Sequence, residues 1–152
     1  MTVTPKVERR KGGMRQYMFL SPYWSHINDK PFLTRFVFFF TPYGGCHLTW
    51  IRQPDNQREY PHDHSATFVS VKLLGGYEED VFSNPEDLSE VRHRKHRWLS
   101  AHVMKRAEAH SITKISRFGT VTLLFLGRRR GKSNYWTPAG MQSIGLKMDE
   151  WS

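Results

Sequence analysis

Cysteine is nearly absent from this sequence: Cys46 is the only one among 152 residues. A single cysteine cannot form an internal disulfide, which excludes a secreted disulfide-stapled scaffold and favours a reducing compartment. Long apolar runs are also missing, since the longest, from Phe36 to Phe40, is far shorter than the ~20 residues of a membrane-spanning helix. Residues 1–13 lack the apolar core of a signal peptide. These absences predict a cytoplasmic protein.

Internal repeats are not visible either. A chain of 152 residues is long enough to bury one hydrophobic core. Residues 1–15 are polar, basic and contain Gly12 and Gly13. We therefore predict a flexible basic arm over residues 1–15 and a single folded domain over residues 16–152.

Acidic residues are too few to balance the basic ones: 14 Asp and Glu stand against 23 Lys and Arg, which gives a net charge of +9 and a pI near 9.9. Such a surface attracts anions, including nucleic acid. The charge is densest from Arg92 to Trp98 and from Arg128 to Lys132. Cations beside an aromatic ring suit phosphate contact with base stacking, so nucleic acid is a predicted partner of these two segments. A solvated basic rim is the simpler interpretation, because no helix-turn-helix, zinc-finger or RNP signature accompanies the charge.

Helical patterns are scarce, whereas short segments rich in β-branched and aromatic residues recur between turn residues. These segments are 35–40, 46–52, 67–74, 77–82, 97–104, 111–116 and 120–126. The glycine pair at 75 and 76 predicts a tight hairpin between two of them. One short helical excursion is predicted at 84–90, with Ser83 or Asn84 as its cap and Pro85 at its first position. The pattern predicts an all-β sandwich or barrel.

The eight histidines are the residues best suited to chemistry. The closest pair lies in Tyr60-Pro61-His62-Asp63-His64. Side chains at i and i+2 of a strand point to the same face, so His62 and His64 can occupy neighbouring positions of one coordination sphere. Neutral imidazole suits Fe, Ni, Cu and Zn. Two surface histidines beside a turn are the simpler interpretation, because His-x-His alone is a weak motif.

The residues after this pair carry a family resemblance. Gly75 and Gly76 stand eleven and twelve residues after His64, which resembles the first signature of the cupin superfamily. The stretch Arg106-Ala107-Glu108-Ala109-His110, followed by 111–116, resembles the second signature, which contributes one more histidine. Segments 50–55, 123–127 and 135–140 are similar to small cupin proteins of the cysteine-dioxygenase-like kind. The resemblance covers about residues 35–145.

The resemblance implies a single-domain cupin-type β-sandwich, or jelly-roll barrel, with a metal held by His62, His64 and His110. The glutamate usual in the first signature is missing at 67–69. A three-histidine set, as in the thiol dioxygenase branch of the superfamily, is therefore expected in place of three histidines and one glutamate.

Two other histidines compete with His110 for the third position. His102 lies in an alternating run whose even-numbered face would point inward, and His47 is more simply a buried, hydrogen-bonded histidine. Asp63 should point away from the pair, as a turn or supporting residue, and Cys46 should be a buried inert thiol. The polar residues expected to face solvent are His93, His96, Glu78 and Glu79.

A three-histidine site leaves coordination positions for water, O₂ or a bidentate substrate. Fe(II) with neutral ligands suits a substrate that brings its own negative charge, so the resemblance implies a non-haem Fe(II) dioxygenase of a small anionic substrate. Zn, Ni or Mn are alternatives, and Zn would suit a metal-dependent isomerase or hydrolase. A non-catalytic cupin-fold protein that binds nucleic acid or another polyanion is the remaining alternative.

Three residues are predicted to act on the anionic substrate: Arg52, Arg106 and Tyr60. The planar fork of arginine suits carboxylate or phosphate. Phe68 and Trp136 are expected to wall the pocket. By analogy with other cupins, a homodimer is expected.

Overall fold

The computed structural model describes residues 21–27, 30–41, 43–55, 60–84, 86, 88–137 and 140–143. These residues form eleven strands and no helix, so the all-β prediction is confirmed. The strands are β1 (Ser21–Ile27), β2 (Lys30–Thr41), β3 (Gly44–Ile51), β4 (Phe68–Leu74), β5 (Tyr77–Phe82), β6 (Val91–His96), β7 (Ala101–Met104), β8 (Ala109–Ile115), β9 (Thr120–Leu126), β10 (Asn134–Thr137) and β11 (Gly140–Ser143). The part of the chain that the structure describes contains no helix that could span a membrane.

Two antiparallel sheets pack face to face. The larger has the strand order β1-β2-β3-β9-β4-β7, the smaller has the order β6-β5-β8, and β10 pairs with β11. Because side chains alternate between the two faces of a strand, one face of each sheet supplies the core. Phe68 of β4, Val81 of β5 and Met104 of β7 are buried and pack together there. The fold is therefore a β-sandwich.

Residues 60–64, called the His62 segment below, extend the smaller sheet. His62 forms antiparallel bridges with His110 of β8 and with Tyr135 of β10. The smaller sheet thus continues from β8 through the His62 segment towards β10. Val81 of β5 packs against β4 and β7, and His96 of β6 stacks on His102 of β7. The strand orders of the two sheets therefore run in the same direction, so the His62 segment, beyond β8, lies opposite β9 and β3.

Sequence patterning located most strands and missed those with little apolar alternation. The predicted strands 77–82 and 120–126 have the bounds of β5 and β9. Strand β6, with the sequence VRHRKH, was missed because basic side chains and histidines occupy both faces of this edge strand and leave no apolar alternation. Strands β1, β10 and β11 were also missed. Only 101–104 of the predicted strand 97–104 is extended, because Leu99 has a positive φ of 56° that interrupts it.

Gly75 and Gly76 do not form the predicted hairpin, because β4 and β5 belong to different sheets. The chain instead turns a corner between the sheets. A Cβ on Gly75, which has a φ of +69°, would lie 2.4 Å from the carbonyl oxygen of Gly119, and one on Gly76 would lie 2.4 Å from that of His96. Glycine is required at positions 75 and 76 because the backbones of Gly119 and His96 approach them closely. A hairpin turn also favours glycine, so the residue type alone did not distinguish the two structures.

The prediction of a short helix at 84–90 was wrong for the residues that the structure describes. Residues 83 and 84 form a bend and residues 86, 88 and 89 are in turns, and Asn84 Oδ1 accepts a hydrogen bond from the backbone N of Glu86 at 3.3 Å. An asparagine side chain that bonds two residues ahead stabilises a turn as readily as it caps a helix. The arm predicted at 1–15 lies outside the described residues.

Candidate metal centre

Three imidazole rings meet on the inner face of the smaller sheet. The ring centroids of His62 and His64 are 5.0 Å apart, those of His62 and His110 are 4.7 Å apart, and those of His64 and His110 are 5.0 Å apart. Nε2 of His64 lies 2.9 Å from Nε2 of His110. One ligand atom from each ring lies within 4.8 Å of the others. Nitrogens bound ~2.0–2.1 Å from one metal are themselves about 3 Å apart, so the cluster has the dimensions of a coordination site.

Backbone pairing creates this cluster. The backbone N of His62 donates to the carbonyl oxygen of His110 at 3.0 Å, and the backbone N of His110 donates to that of His62 at 2.9 Å. The His64 ring packs edge-on against Phe68, with centroids 4.8 Å apart. The register of β8 against the His62 segment therefore brings a chain-distant ring to the His-x-His pair.

Buried carboxylates stand behind two of the rings. Glu79 Oε2 lies 2.6 Å from His110 Nδ1, and Asp55 Oδ2 lies 3.5 Å from His62 Nδ1. Asp55 is fixed by the backbone N of Ile112 and by Ser111 Oγ, which donates at 3.3 Å. A carboxylate at Nδ1 selects the tautomer in which Nε2 is a metal ligand and raises its basicity.

The site holds one ring strongly neutral. Burial, the neighbouring His110 and the charge of Arg35 hold the pKa of His64 well below its usual value. Burial alone would lower the pKa of His110, but the hydrogen bond to Glu79 and the charges of Glu79 and Asp55 together outweigh burial and raise it. Burial would raise the pKa of Glu79, but hydrogen bonds from His110 and His96 lower it, so this carboxyl stays ionised. Neutral imidazole is the form that binds metal.

Asp63, between the two histidines, ties β10 to the site. Its carboxylate accepts hydrogen bonds from the backbone N of Asn134 at 2.6 Å, from Asn134 Nδ2 at 3.0 Å and from Trp136 Nε1 at 2.9 Å. Asp63 therefore has the supporting position predicted from strand alternation. Trp136 is consequently held by this carboxylate.

A second group of ionisable side chains lies further inside the sandwich. It consists of Glu79, His96 and His102, with the buried Lys72 against His102 Nδ1. Glu79 Oε1 lies 2.7 Å from His96 Nε2 and 3.9 Å from His102 Nε2. The rings of His96 and His102 stack with centroids 4.0 Å apart. Glu79 therefore joins the two groups, one oxygen facing each.

Two expectations about this group were wrong. His96 is 9% exposed and Glu79 is 0% exposed, although both were expected to face solvent. The alternation of Tyr77, Glu79 and Val81 along β5 was the signal that would have placed Glu79 inside. His102, the rival third ligand, lies with Glu79 and Lys72 in this second group.

The residues predicted to act on the substrate lie in different places. The Arg52 guanidinium is 4.0 Å from the ring centroid of Trp50, an exposed residue of β3. Arg106 is exposed, and its guanidinium donates to the carbonyl oxygen of Arg130. Tyr60 is half-buried at the start of the His62 segment.

The inner face of β2 and β3 carries polar side chains that the sequence did not predict to lie together. Arg35 of β2 pairs with Thr49 of β3, and Val37 pairs with His47. His47 is buried, and within the part of the chain that the structure describes neither of its ring nitrogens has a hydrogen-bond partner. Burial and the charge of Arg35 lower the pKa of His47 to about 3.

The two basic segments differ in how their charges are paired. Arg92 and Arg94 bind Glu108 at 3.1 and 3.2 Å, and Lys95 binds Glu78 at 3.0 Å. In the second segment, by contrast, Arg128 lies 5.9 Å from the ring centroid of Tyr43, and Arg129 lies 5.0 Å from that of Phe40.

Comparison with known proteins shows the fold and no nearer relationship. No family model and no curated protein matches the sequence. The structure of FeII HppE is similar to this chain with a TM-score of 0.56 and 11% identity, over 83% of this chain and 66% of that one. Hydroxypropylphosphonic acid epoxidase from S. wedmorenis has a TM-score of 0.52 and 11% identity, over 83% of this chain and 64% of that one. An RmlC-like cupin from Shewanella frigidimarina NCIMB 400 is 14% identical, over 64% of this chain and 78% of that one, with a TM-score of 0.44.

These neighbours are cupin-fold proteins, and the β-sandwich of this chain is of the cupin type. The chain covers 63–66% of the length of two HppE structures that contain Fe(II). The similarity to cysteine-dioxygenase-like cupins in particular stays a prediction.

Proposed function

We propose that this protein is a non-haem Fe(II) dioxygenase of the cupin fold, in which His62, His64 and His110 hold the metal and a small anionic substrate is oxidised by O₂. One observation carries the proposal. Two of the three clustered imidazoles present Nδ1 to a buried carboxylate, Asp55 or Glu79, and a nitrogen towards the others. That donor set fits a divalent metal.

The residues of the site have separate parts in this proposal. Fe(II) held by the three histidines would leave coordination positions for an anionic substrate and O₂ and would supply the redox chemistry between them. Glu79 fixes the orientation and tautomer of His110, and Asp55 does so for His62. The Phe68 ring against His64 shields one side of the cluster from water. HppE, which shares the fold, contains Fe(II), and this favours iron over Zn, Ni or Mn.

Metal analysis tests the proposal. Protein purified without chelator should hold about one divalent metal per chain, because neutral imidazoles of fixed orientation bind such ions strongly. His62→Ala combined with His64→Ala should lose it. His93→Ala is the control, since that ring is exposed and pairs with Asp80 on the outer face. Metal content unchanged in the double variant would contradict the proposal.

Oxygen uptake separates the dioxygenase from a metal-dependent hydrolase or isomerase. Protein loaded anaerobically with Fe(II) should consume O₂ when a thiol or carboxylate substrate is added, with both oxygen atoms recovered in the product. Turnover of a substrate without O₂ consumption would favour the hydrolase or isomerase.

A second candidate function is single-stranded nucleic acid binding at residues 127–132. Arg128, Arg130 and Lys132 are exposed, and within the described ranges none of the three makes an ion pair with a carboxylate. Tyr43, beside Arg128, is 77% exposed. An unpaired cation beside an exposed ring suits phosphate contact with base stacking, and this favours residues 127–132 over residues 92–98.

Salt-dependent binding tests this second candidate. Arg128→Gln with Arg130→Gln should weaken binding of a fluorescent single-stranded oligonucleotide and reduce its salt slope, because each phosphate contact releases counterions. Arg92→Gln with Lys95→Gln is the matched control, since those side chains already pair with Glu108 and Glu78. Equal losses in the two double variants would show a non-specific charge effect.

A further inference from the structure

The inner face of β3 carries buried polar atoms that have no hydrogen-bond partner among the described residues. His47 is 4% exposed, and both its ring nitrogens lack a partner. Thr49, two residues along the same face, is 1% exposed, and its hydroxyl also lacks one. Buried polar groups are nearly always bonded to protein, water or a ligand, so these atoms are able to bind a polar molecule inside the sandwich.

Arg35 belongs to the same inner surface. It lies directly beside Thr49 in the register of β2 and β3. Its side chain is half-buried, so the guanidinium is within reach of a molecule that enters from solvent. Val37, the next residue on the same face of β2, pairs with His47. Arg35 therefore shares the inner face on which Thr49 and His47 lie.

This surface faces the candidate metal centre. The His62 segment extends the smaller sheet beyond β8, and β3 lies beyond β9 in the larger sheet. Facing sheets of a sandwich are separated by about 10 Å. Side chains that point inward from β3 therefore lie opposite the histidine cluster.

We propose that Arg35, His47 and Thr49 form an oxyanion-binding subsite, which holds the carboxylate or phosphate group of a small substrate whose other end lies at His62, His64 and His110. The inference rests on the proposed function and deepens it. The guanidinium fork matches two oxygens of such a group. The Thr49 hydroxyl and one His47 nitrogen donate to it, and the other His47 nitrogen accepts from a substrate hydroxyl.

The subsite differs from the arginines predicted from the sequence. Arg52 lies over Trp50, and Arg106 binds the backbone of Arg130. Both are therefore engaged away from the inner face of β3. Arg35 escaped the sequence analysis because it stands among the aromatic residues of a strand that reads as core.

Calorimetric titration of the full chain tests the subsite, with inorganic phosphate and acetate as probes at constant ionic strength. Arg35→Gln should weaken binding of the preferred probe about tenfold or more, because a charge-assisted hydrogen bond is lost. Arg52→Gln and Arg117→Gln remove the same charge elsewhere and should change binding less than about twofold. Equal binding by Arg35→Gln and wild type, a larger loss in Arg52→Gln, or no binding of either probe to wild type would each overturn the proposal.

A second variant guards against loss of folding. His47→Leu replaces the imidazole, whose two nitrogens have no partner among the described residues, with an apolar side chain of similar size. The melting temperature of this variant should equal or exceed that of wild type, while its anion binding falls. A lower melting temperature would mean that the fold itself needs those nitrogens, and the subsite would be rejected.

Metal content measured on the same samples separates the two proposals. Arg35→Gln and His47→Leu should keep the wild-type metal content. Wild type without metal would contradict the proposed function, whereas phosphate or acetate binding that is insensitive to Arg35 would contradict only the subsite.

Discussion

Glu79 is the residue on which both interior groups depend. It is fully buried, and its two oxygens lie 2.6 Å from His110 Nδ1 and 2.7 Å from His96 Nε2. A buried carboxylate is costly unless such hydrogen bonds compensate it. Its position therefore links the orientation of His110 to the packing of the sandwich interior.

Glu79→Gln should lower metal affinity about 10–100-fold, because the amide nitrogen that faces His110 or His96 cannot accept a hydrogen bond from that ring. Glu78→Gln is the matched control: the neighbouring carboxylate is on the outer face and pairs with Lys95 and Lys114. The measurement is competition with a chromophoric chelator. Equal metal affinity in the two variants would show that Glu79 does not support the site.

At the scale of single residues, sequence reasoning grouped His62, His64 and His110, which the structure also brings together, and missed the burial of Glu79 and the inward position of Arg35. The His-x-His spacing is local, so strand alternation was enough to put two rings on one face. Glu79 was misjudged because it follows Glu78 and precedes Asp80, and a run of acidic residues resembles a solvated edge. Only the facing sheet decides which of the three is buried.

At the scale of elements, the corner between β4 and β5 positions the whole smaller sheet. Gly76 passes so close to the carbonyl oxygen of His96 that a Cβ would lie 2.4 Å from it. This contact places β6 and β5 relative to β4. The register of His62 against His110 depends in turn on β5 and β8.

Gly76→Ala should destabilise the protein by about 1–3 kcal/mol, because backbone must move to relieve the clash. Gly127→Ala is a milder control, since its Cβ would lie 3.2 Å from the Thr67 carbonyl oxygen. Urea denaturation followed by fluorescence gives both values. A Gly76→Ala protein as stable as Gly127→Ala would mean that the corner is not tightly packed.

At the scale of the whole molecule, the interior contains histidines that the fold keeps neutral. Burial and the charge of Arg35 lower the pKa of His47 to about 3, and burial and the charge of Lys72 lower that of His102 to about 3. Below pH ~6.5 both histidines become protonated in the unfolded chain but remain neutral in the folded protein. Stability therefore decreases as the pH falls.

Metal-free protein should lose stability between about pH 6.5 and about pH 3, with each of the two rings contributing up to about 1.4 kcal/mol per pH unit. The raised pKa of His110 acts in the other direction, because its contribution is complete below pH ~6.5 and is lost as the pH rises through the folded value. His47→Leu should have a slope shallower by about one proton in denaturation curves taken from about pH 7 to about pH 4. An unchanged slope would show that His47 is protonated in the fold.

The sequence by itself determined the strands with clear alternation, the His-x-His pair, the lack of disulfides and the positive charge, because each depends on residue type or on spacing within one strand. The tertiary structure decided that His110 lies with that pair while His102 lies with Glu79 and Lys72, and that Gly75 and Gly76 form a corner between sheets. Those outcomes depend on register between strands far apart in the chain, where a shift of one residue turns every side chain to the other face. The local pattern determines which side chains share one face of a strand. Only the packed sandwich determines which residues that face contacts.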